Sequence, residues 1–222
     1  MVNHPGLPTL AVVTALMIVA SPLQAAEISF SPQSILNWPE KSFDGHTQYQ
    51  IVQRDGVAVL QSRANGQASA LYLEREIDLQ RTPWLKWCWQ ISGVHPQLNE
   101  RTRAGDDYPA RVYVARSTGL LPWQVESVNY VWSSNQPSGT SWPNAFTDKA
   151  QLLAVESGSE RVGQWMSVVR DVRADFRALF GSDPQTIDGI ALMSDGDNAG
   201  VDASAWFSRL AFSSDARPLS CP

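Results

Sequence analysis

The chain breaks into short runs in which apolar and polar residues alternate, and this period of two most restricts the folds open to it. Tyr49-Gln-Ile-Val-Gln53 leads through Asp55-Gly56 into Val57-Ala-Val-Leu-Gln-Ser62. Asp-Gly between two such runs signals a tight hairpin turn. Asn65-Gly66 repeats the signal ahead of Ala70-Leu-Tyr-Leu-Glu74. Further strands are expected over residues 85–92, 110–115, 127–132, 151–156, 164–169, 187–193 and 205–212. Many short strands separated by turn residues predict a mainly β chain, an antiparallel jelly-roll-like β-sandwich with one or two short helices. One helix is expected where Val172, Phe176, Leu179 and Phe180 share a face, with Asp171 to cap it and Gly181 to end it. A shorter one is expected near Ser34.

The first residues set the expected compartment. Leu10 to Ala20 is an almost uninterrupted apolar run, followed by Ser21-Pro22 and by the small residues Ala25-Ala26. That run is too short for a spanning helix and suits a cleaved signal peptide over residues 1–25. Residues 26–222 then form one domain, periplasmic or secreted, with no integral membrane span after cleavage. All charged residues follow the leader, so the net charge of −5 belongs to the mature chain. An acidic balance argues against nucleic acid as a partner. An exported chain can oxidise Cys88 and Cys221, and a bond between them would tie the C-terminus to a central strand. The alternative is a buried thiol at Cys88 and a loose one at Cys221.

Two polar clusters are the candidates for chemistry. The first is Glu100-Arg-Thr-Arg-Ala-Gly-Asp106-Asp107-Tyr-Pro-Ala-Arg111-Val-Tyr113. Paired carboxylates perform acid–base work when their environments separate their pKa values. The competing reading of Asp106-Asp107 is an ion network that orders the loop, with Arg101, Arg103 or Arg111 as partner. Arg111 and Tyr113 share one face of their strand, while Val112 and Val114 take the core face. The second cluster is Asp195-Gly-Asp197-Asn198-Ala-Gly200-Val-Asp202. Asp195, Asp197 and Asp202 offer oxygen ligands at a spacing that makes calcium possible, although the EF-hand pattern fails at Ala199 and Trp206. A turn stabilised by Asx side chains explains the same residues, and no other cofactor is indicated.

The chain has nine tryptophans. Trp87, Trp89, Trp165 and Trp206 fall in strand patterns and are expected in the core. Trp123, Trp132 and Trp142, with Tyr130, flank loops rich in Ser, Asn and Gly. Rings beside amides and hydroxyls are suited to holding a sugar, and burial at the end of a sandwich is the competing reading. No nucleophile motif or nucleotide-binding glycine pattern occurs, and His95 and His46 sit in no recognisable catalytic motif.

Several blocks taken together carry a resemblance. They are Leu85-Lys-Trp87-Cys-Trp89, Glu100-Arg101, Gly105-Asp106-Asp107-Tyr108, Ala110-Arg111-Val-Tyr113, Asn129-Tyr-Val-Trp132, and Gly189-Ile-Ala-Leu-Met193 with Asp195, Asp197-Asn198 and Gly200. The chain is similar, from Ile35 to Phe212, to a bacterial secreted family whose domain is labelled only as one of unknown function. The resemblance implies a jelly-roll sandwich like those of carbohydrate-binding modules, and no activity. Cys88 and Cys221 lie outside the matching pattern. Three functions remain open from the residues. The first is binding of a polysaccharide or other polyhydroxylated envelope component through Asp106, Asp107, Arg111, Tyr113, Tyr130, Trp132, Trp142, Asp197 and Asn198. The second is a glycan-acting hydrolase or lyase built on the paired carboxylates. The third is a protein-interaction module of the envelope with no small ligand.

Overall fold

The computed structural model describes residues 1–2, 26–121 and 124–222, so the expected leader and Trp123 lie outside the described residues. The strands are β1 (Glu27–Phe30), β2 (Glu40–Asp44), β3 (Gln48–Arg54), β4 (Val57–Asn65), β5 (Ala68–Asp78), β6 (Trp84–Ile91), β7 (Arg111–Ser117), β8 (Val125–Ser133), β9 (Ser141–Pro143), β10 (Ala150–Ser157), β11 (Met166–Asp171), β12 (Thr186–Asp195) and β13 (Asp202–Ser213). Two helices join them, α1 (Pro32–Leu36) and α2 (Val172–Phe180). One sheet, sheet A, runs β11-β6-β13-β4-β3, with β1 also paired to β13. The other, sheet B, runs β2-β5-β12-β7-β8-β10-β9. The fold is a mainly β, jelly-roll-like sandwich. Its pairs are antiparallel apart from β8 and β10, which run parallel because the chain passes through β9 between them.

The turn signals act differently at the two glycine sites. At Asp55-Gly56 both residues have positive φ (50° and 80°), the backbone of a two-residue hairpin, and β3 pairs with β4 across it. At Asn65-Gly66 no hairpin forms. There β4 stays in sheet A and β5 enters sheet B, so the turn carries the chain between layers. The Gly66 N–H donates to the Val201 carbonyl, which belongs to the turn between β12 and β13, another that links the two sheets. Helix α2 starts where the Asp171 side chain accepts from the Ala174 N–H and ends at Gly181 in a left-handed conformation. Ser31 caps α1 by accepting from the Ser34 N–H.

The core lies between the sheets. Leu85, Trp87, Trp89 and Ile91 of β6 face Val128, Tyr130 and Trp132 of β8, Ile190 and Leu192 of β12, and Phe207 of β13. Trp87 and Trp89 meet edge to face at 5.3 Å, and Trp89 lies 6.0 Å from Trp132. Each such ring removes about 150–250 Å² from water, a gross gain of roughly 4–6 kcal/mol at about 25 cal/mol per Å². The alternate residues of β6, Lys86, Cys88 and Gln90, take the outer face of sheet A. They are nevertheless buried. The C-terminal tail lies over this part of the sheet, where Cys221 is disulfide-bonded to Cys88 and Asp215 accepts from Lys86 Nζ at 2.8 Å.

Candidate functional site

Strand parity places the first cluster on the outer face of sheet B. Met193 pairs with Arg111 and Ala191 with Tyr113, so these side chains share that face with Asp195, while Val112 and Val114 enter the core. Arg111 is buried, and a guanidinium out of water is tolerated only when paired. Its Nε donates to Asp195 Oδ1 at 2.8 Å, and one terminal nitrogen donates to Asp195 Oδ2 and to the Asp106 carbonyl. The other terminal nitrogen lies 3.6 Å from Asp106 Oδ2. Tyr108 closes the group, its ring centroid 4.2 Å from the guanidinium carbon.

The two adjacent carboxylates serve different neighbours. Asp106 turns to Arg111 and accepts from Asn144 Nδ2 at 2.8 Å. Asp107 caps the turn after β12. Its Oδ1 accepts from the Asn198 N–H and Nδ2 at 3.1 and 3.2 Å, and its Oδ2 from the Ala199 N–H at 2.7 Å. That turn is tight, because a Cβ on Gly196 would lie 2.0 Å from the Val201 carbonyl oxygen. Glu100, fully buried, accepts from the Ser133 hydroxyl and the Ser134 N–H. Its own carbonyl takes the Tyr108 hydroxyl at 3.1 Å and Trp142 Nε1 at 3.3 Å. Residues 100–113, 133–144 and 195–199 therefore converge around Arg111. Asn144 and the Arg111–Asp195 pairing are the parts that sequence reasoning missed. Parity in β7 and β12 puts Arg111 and Asp195 on one face, but only the register between the strands brings them together.

Burial dominates the electrostatics here. It pushes the Asp195 carboxyl up to about 8 despite the pull of Arg111, with Asp106 and Asp107 adding to the rise. Burial likewise raises Glu100 and Asp197 above the usual carboxylate range. The Arg111 guanidinium is held charged: burial, the largest single effect, lowers its pKa, and Asp195, Tyr113, Asp106 and Tyr108 together outweigh it.

Several expected site residues stand elsewhere. Tyr130 and Trp132 have no exposed surface. Tyr130 donates to Asp175 Oδ2 at 2.8 Å and Trp132 to the Gly158 carbonyl at 3.1 Å, both from within the core. Trp142 is buried beneath the 100–108 loop against Tyr108, 6.4 Å between rings. None of the three offers a face for a sugar. Conversely, Trp206 and Trp165, expected in the core, are partly exposed. Trp206 alternates with inward Ala205 and Phe207, and the Arg54 guanidinium lies 3.8 Å above its ring. Tyr113, Asp197 and Asn198 are partly exposed on the sheet B side.

The calcium set also changes. Carboxylate oxygens of Asp107, Asp195 and Asp197 lie within 4.8 Å of one another, while Asp202 lines a cavity beside sheet A. The exchange arises because β12 and β13 belong to opposite sheets and the turn between Asp195 and Asp202 crosses the sandwich. Calcium takes six to eight oxygen ligands. Both Asp195 oxygens are held by a guanidinium and both Asp107 oxygens by N–H groups, so this trio does not fit the ion.

Residues 36–211 match the model of a family described as "Protein of unknown function (DUF3047)". No curated protein matches the chain. Among solved structures, it is similar to the glycoside hydrolase domain of Endo-D from Streptococcus pneumoniae R6, with 13% identity and a TM-score of 0.40. That likeness covers 81% of this chain and 22% of the other, so the chain spans under a quarter of that protein. It is similar to winged bean acidic lectin complexed with methyl-alpha-D-galactose, with 11% identity, a TM-score of 0.39, and 85% and 98% of the two chains covered. It is also similar to the family GH12 endoglucanase 3 of Trichoderma harzianum, with 7% identity, a TM-score of 0.37, and 86% and 99% covered. At these identities the likeness concerns the fold alone.

Proposed function

The chain belongs to the DUF3047 family, and from its own geometry we propose that it is an exported β-sandwich protein that binds a glycan or similar polyhydroxylated envelope ligand. One observation carries this reading: three segments distant in sequence converge on the outer face of sheet B around Arg111. The buried ion network of Arg111, Asp195, Asp106 and Asp107 is a rigid frame rather than the contact surface, since its oxygens, Asp106 Oδ1 apart, are occupied by protein donors. It fixes the groups that reach solvent beside it, namely Tyr113, Asn144, Asp197 and Asn198. A phenol ring, two amides and a carboxylate held by a stiff support match the requirements of hydroxyl recognition. The Cys88–Cys221 bond and the apolar run Leu10 to Ala20 support action in an oxidising compartment, the periplasm or outside the cell. Among the described residues no helix is long and apolar enough to cross a membrane.

Hydrolysis by the carboxylates gains no support. Asp195 is 1% exposed and Asp107 is fully buried, so neither is open to a scissile bond. A glycan array run with folded protein tests the reading. Hits that disappear in the Asn198→Ala and Tyr113→Ala variants are expected, and an array without hits would refute it.

A further inference from the structure

The outer side of sheet A holds a polar cavity of about 150 Å³, lined by Gln48, Arg63, Asn65, Gln67, Asp202 and Ser204 around Ala64. Pairing brings these residues together. Gln48 faces Arg63 across β3 and β4, and Arg63 and Asn65 face Ser204 and Asp202 across β4 and β13. The turn at Asn65-Gly66 and the turn ending at Val201 close one end, locked by the bonds from Gly66 N–H to the Val201 carbonyl and from Gly196 N–H to the Gln67 carbonyl.

These lining groups differ sharply from those around Arg111. None of the six polar side chains has a hydrogen bond or ion pair to another described residue, and Arg63 and Asp202 are not paired with each other. Most other arginines on the surface are matched to carboxylates, such as Arg116 to Glu126, Arg173 to Asp183 and Arg209 to Glu27. The cavity thus presents a guanidinium, a carboxylate, three amides and a hydroxyl, all with free donors or acceptors. It is well below the roughly 300–1,000 Å³ of a drug-sized site, so it suits one small polar unit.

We propose that this cavity binds a single residue of a neutral saccharide chain, with Arg63 donating to and Asp202 accepting from adjacent hydroxyls while Gln48, Asn65 and Gln67 do both. Opposite charges on its walls disfavour an anionic unit, because Asp202 opposes what Arg63 attracts. The chain continues across the strands. Gln61 pairs with Trp206, and Trp206 with Gln90, which forms an outward row beside the cavity. Gln50 adds to it through its Nε2, which donates to Gln61 at 2.9 Å. Arg54, held by Gln90, lies with its guanidinium carbon 3.8 Å from the Trp206 ring centroid and presents further N–H donors to the next unit. This site is separate from the sheet B rim, though it rests on the same reading of the protein as a glycan binder.

Affinity electrophoresis through soluble β-glucan, galactomannan and dextran, with alginate as the anionic comparison, tests the assignment. Retardation of the intact protein by a neutral polysaccharide is expected. An Arg63→Ala/Asp202→Ala variant should bind at least tenfold more weakly. Both substituted residues are exposed and unbonded, so the melting temperature should not move. In the NMR spectrum, the side-chain amide signals of Gln48, Asn65 and Gln67 should shift on adding an oligosaccharide of the retarding polymer. Equal retardation of the double variant overturns this site and leaves the sheet B reading intact. Retardation by alginate alone overturns the neutral class, and no retardation by any polymer overturns both readings.

Discussion

Replacing Arg111 by methionine tests the frame directly. The side chain is 5% exposed, and its loss strands Asp195 Oδ2 and the Asp106 carbonyl and leaves Asp195 Oδ1 only the Tyr108 N–H at 3.4 Å. Removing one partner of a buried ion pair costs about 3–5 kcal/mol when the other charge stays uncompensated. Asp195 has an escape, because its carboxyl already sits near 8 and takes a proton readily near neutrality. What remains is the cost of acceptors without donors, about 1–3 kcal/mol for each group left orphaned. A net loss of about 3 kcal/mol is expected at pH 7, which lowers the melting temperature by about 6–12 °C for a chain of this size. In a cycle with Asp195→Asn, the coupling should exceed about 1 kcal/mol. The pH dependence follows from the sign of the shift. A carboxyl raised from 3.8 to about 8 gives the folded state extra protons between those values. Its stabilising contribution is full below pH 4 and is lost as pH rises through about 8. The unsubstituted protein should therefore lose stability across that window, and Asp195→Asn should flatten the loss. Additive effects within about 0.5 kcal/mol, measured by urea denaturation, would refute the pairing.

Reduction of the Cys88–Cys221 bond opens a loop of 133 residues in the unfolded chain, a loss of about 5 kcal/mol by chain entropy; calorimetry with and without dithiothreitol should show a fall of about 10–20 °C, and coincident transitions would contradict it. Millimolar calcium, or its removal by EDTA, should leave the melting temperature unchanged, since an ion that binds the folded state must raise it. Trp132→Ala should cost about 3–5 kcal/mol, against about 1 kcal/mol or less for Trp206→Ala on the surface; the reverse order, read from chemical denaturation, would place the wrong ring in the core.

Much of the fold is legible from local signals. The alternation of Val112 and Val114 with Arg111 and Tyr113 gives the faces of β7, and Asp55-Gly56 gives a hairpin because φ above zero at both positions is a local demand. At Asn65-Gly66 only the glycine adopts a positive φ (63°), and the turn answers a different need. A turn signal states that the chain reverses, and does not state in which sheet the next strand will pair. The tryptophans went astray for another reason. Trp132 and Trp142 border polar loops, and that neighbourhood suggested exposure. Parity pointed the other way, since Trp132 falls in step with Val128 and Tyr130, and Trp206 falls out of step with Ala205 and Phe207. Where neighbourhood and parity disagree within a strand, parity prevails, because the core accepts one face only.

The same sandwich holds two kinds of polar cluster, and hydrogen-bond bookkeeping separates them. Around Arg111 almost every charged atom is matched by a protein partner, so sequence clustering there reflects the need to bury a guanidinium and cap a turn. Asp106 Oδ1 stands out as buried without a partner. Around Arg63 the side chains are equally polar and surround a cavity, yet they are unclaimed. Conspicuous residues in a sequence thus mark where the fold has solved an electrostatic problem. The groups left free for a ligand were scattered over β3, β4 and the start of β13, with no local pattern to announce them. Only the crossing of the chain at Asn65-Gly66 and again before Asp202 brings them to one place. A ligand contact at Arg63 and none at Asp106 would follow from this distinction. Protection of Asp106 from carbodiimide labelling by a bound oligosaccharide, with Asp202 still labelled, would reverse it.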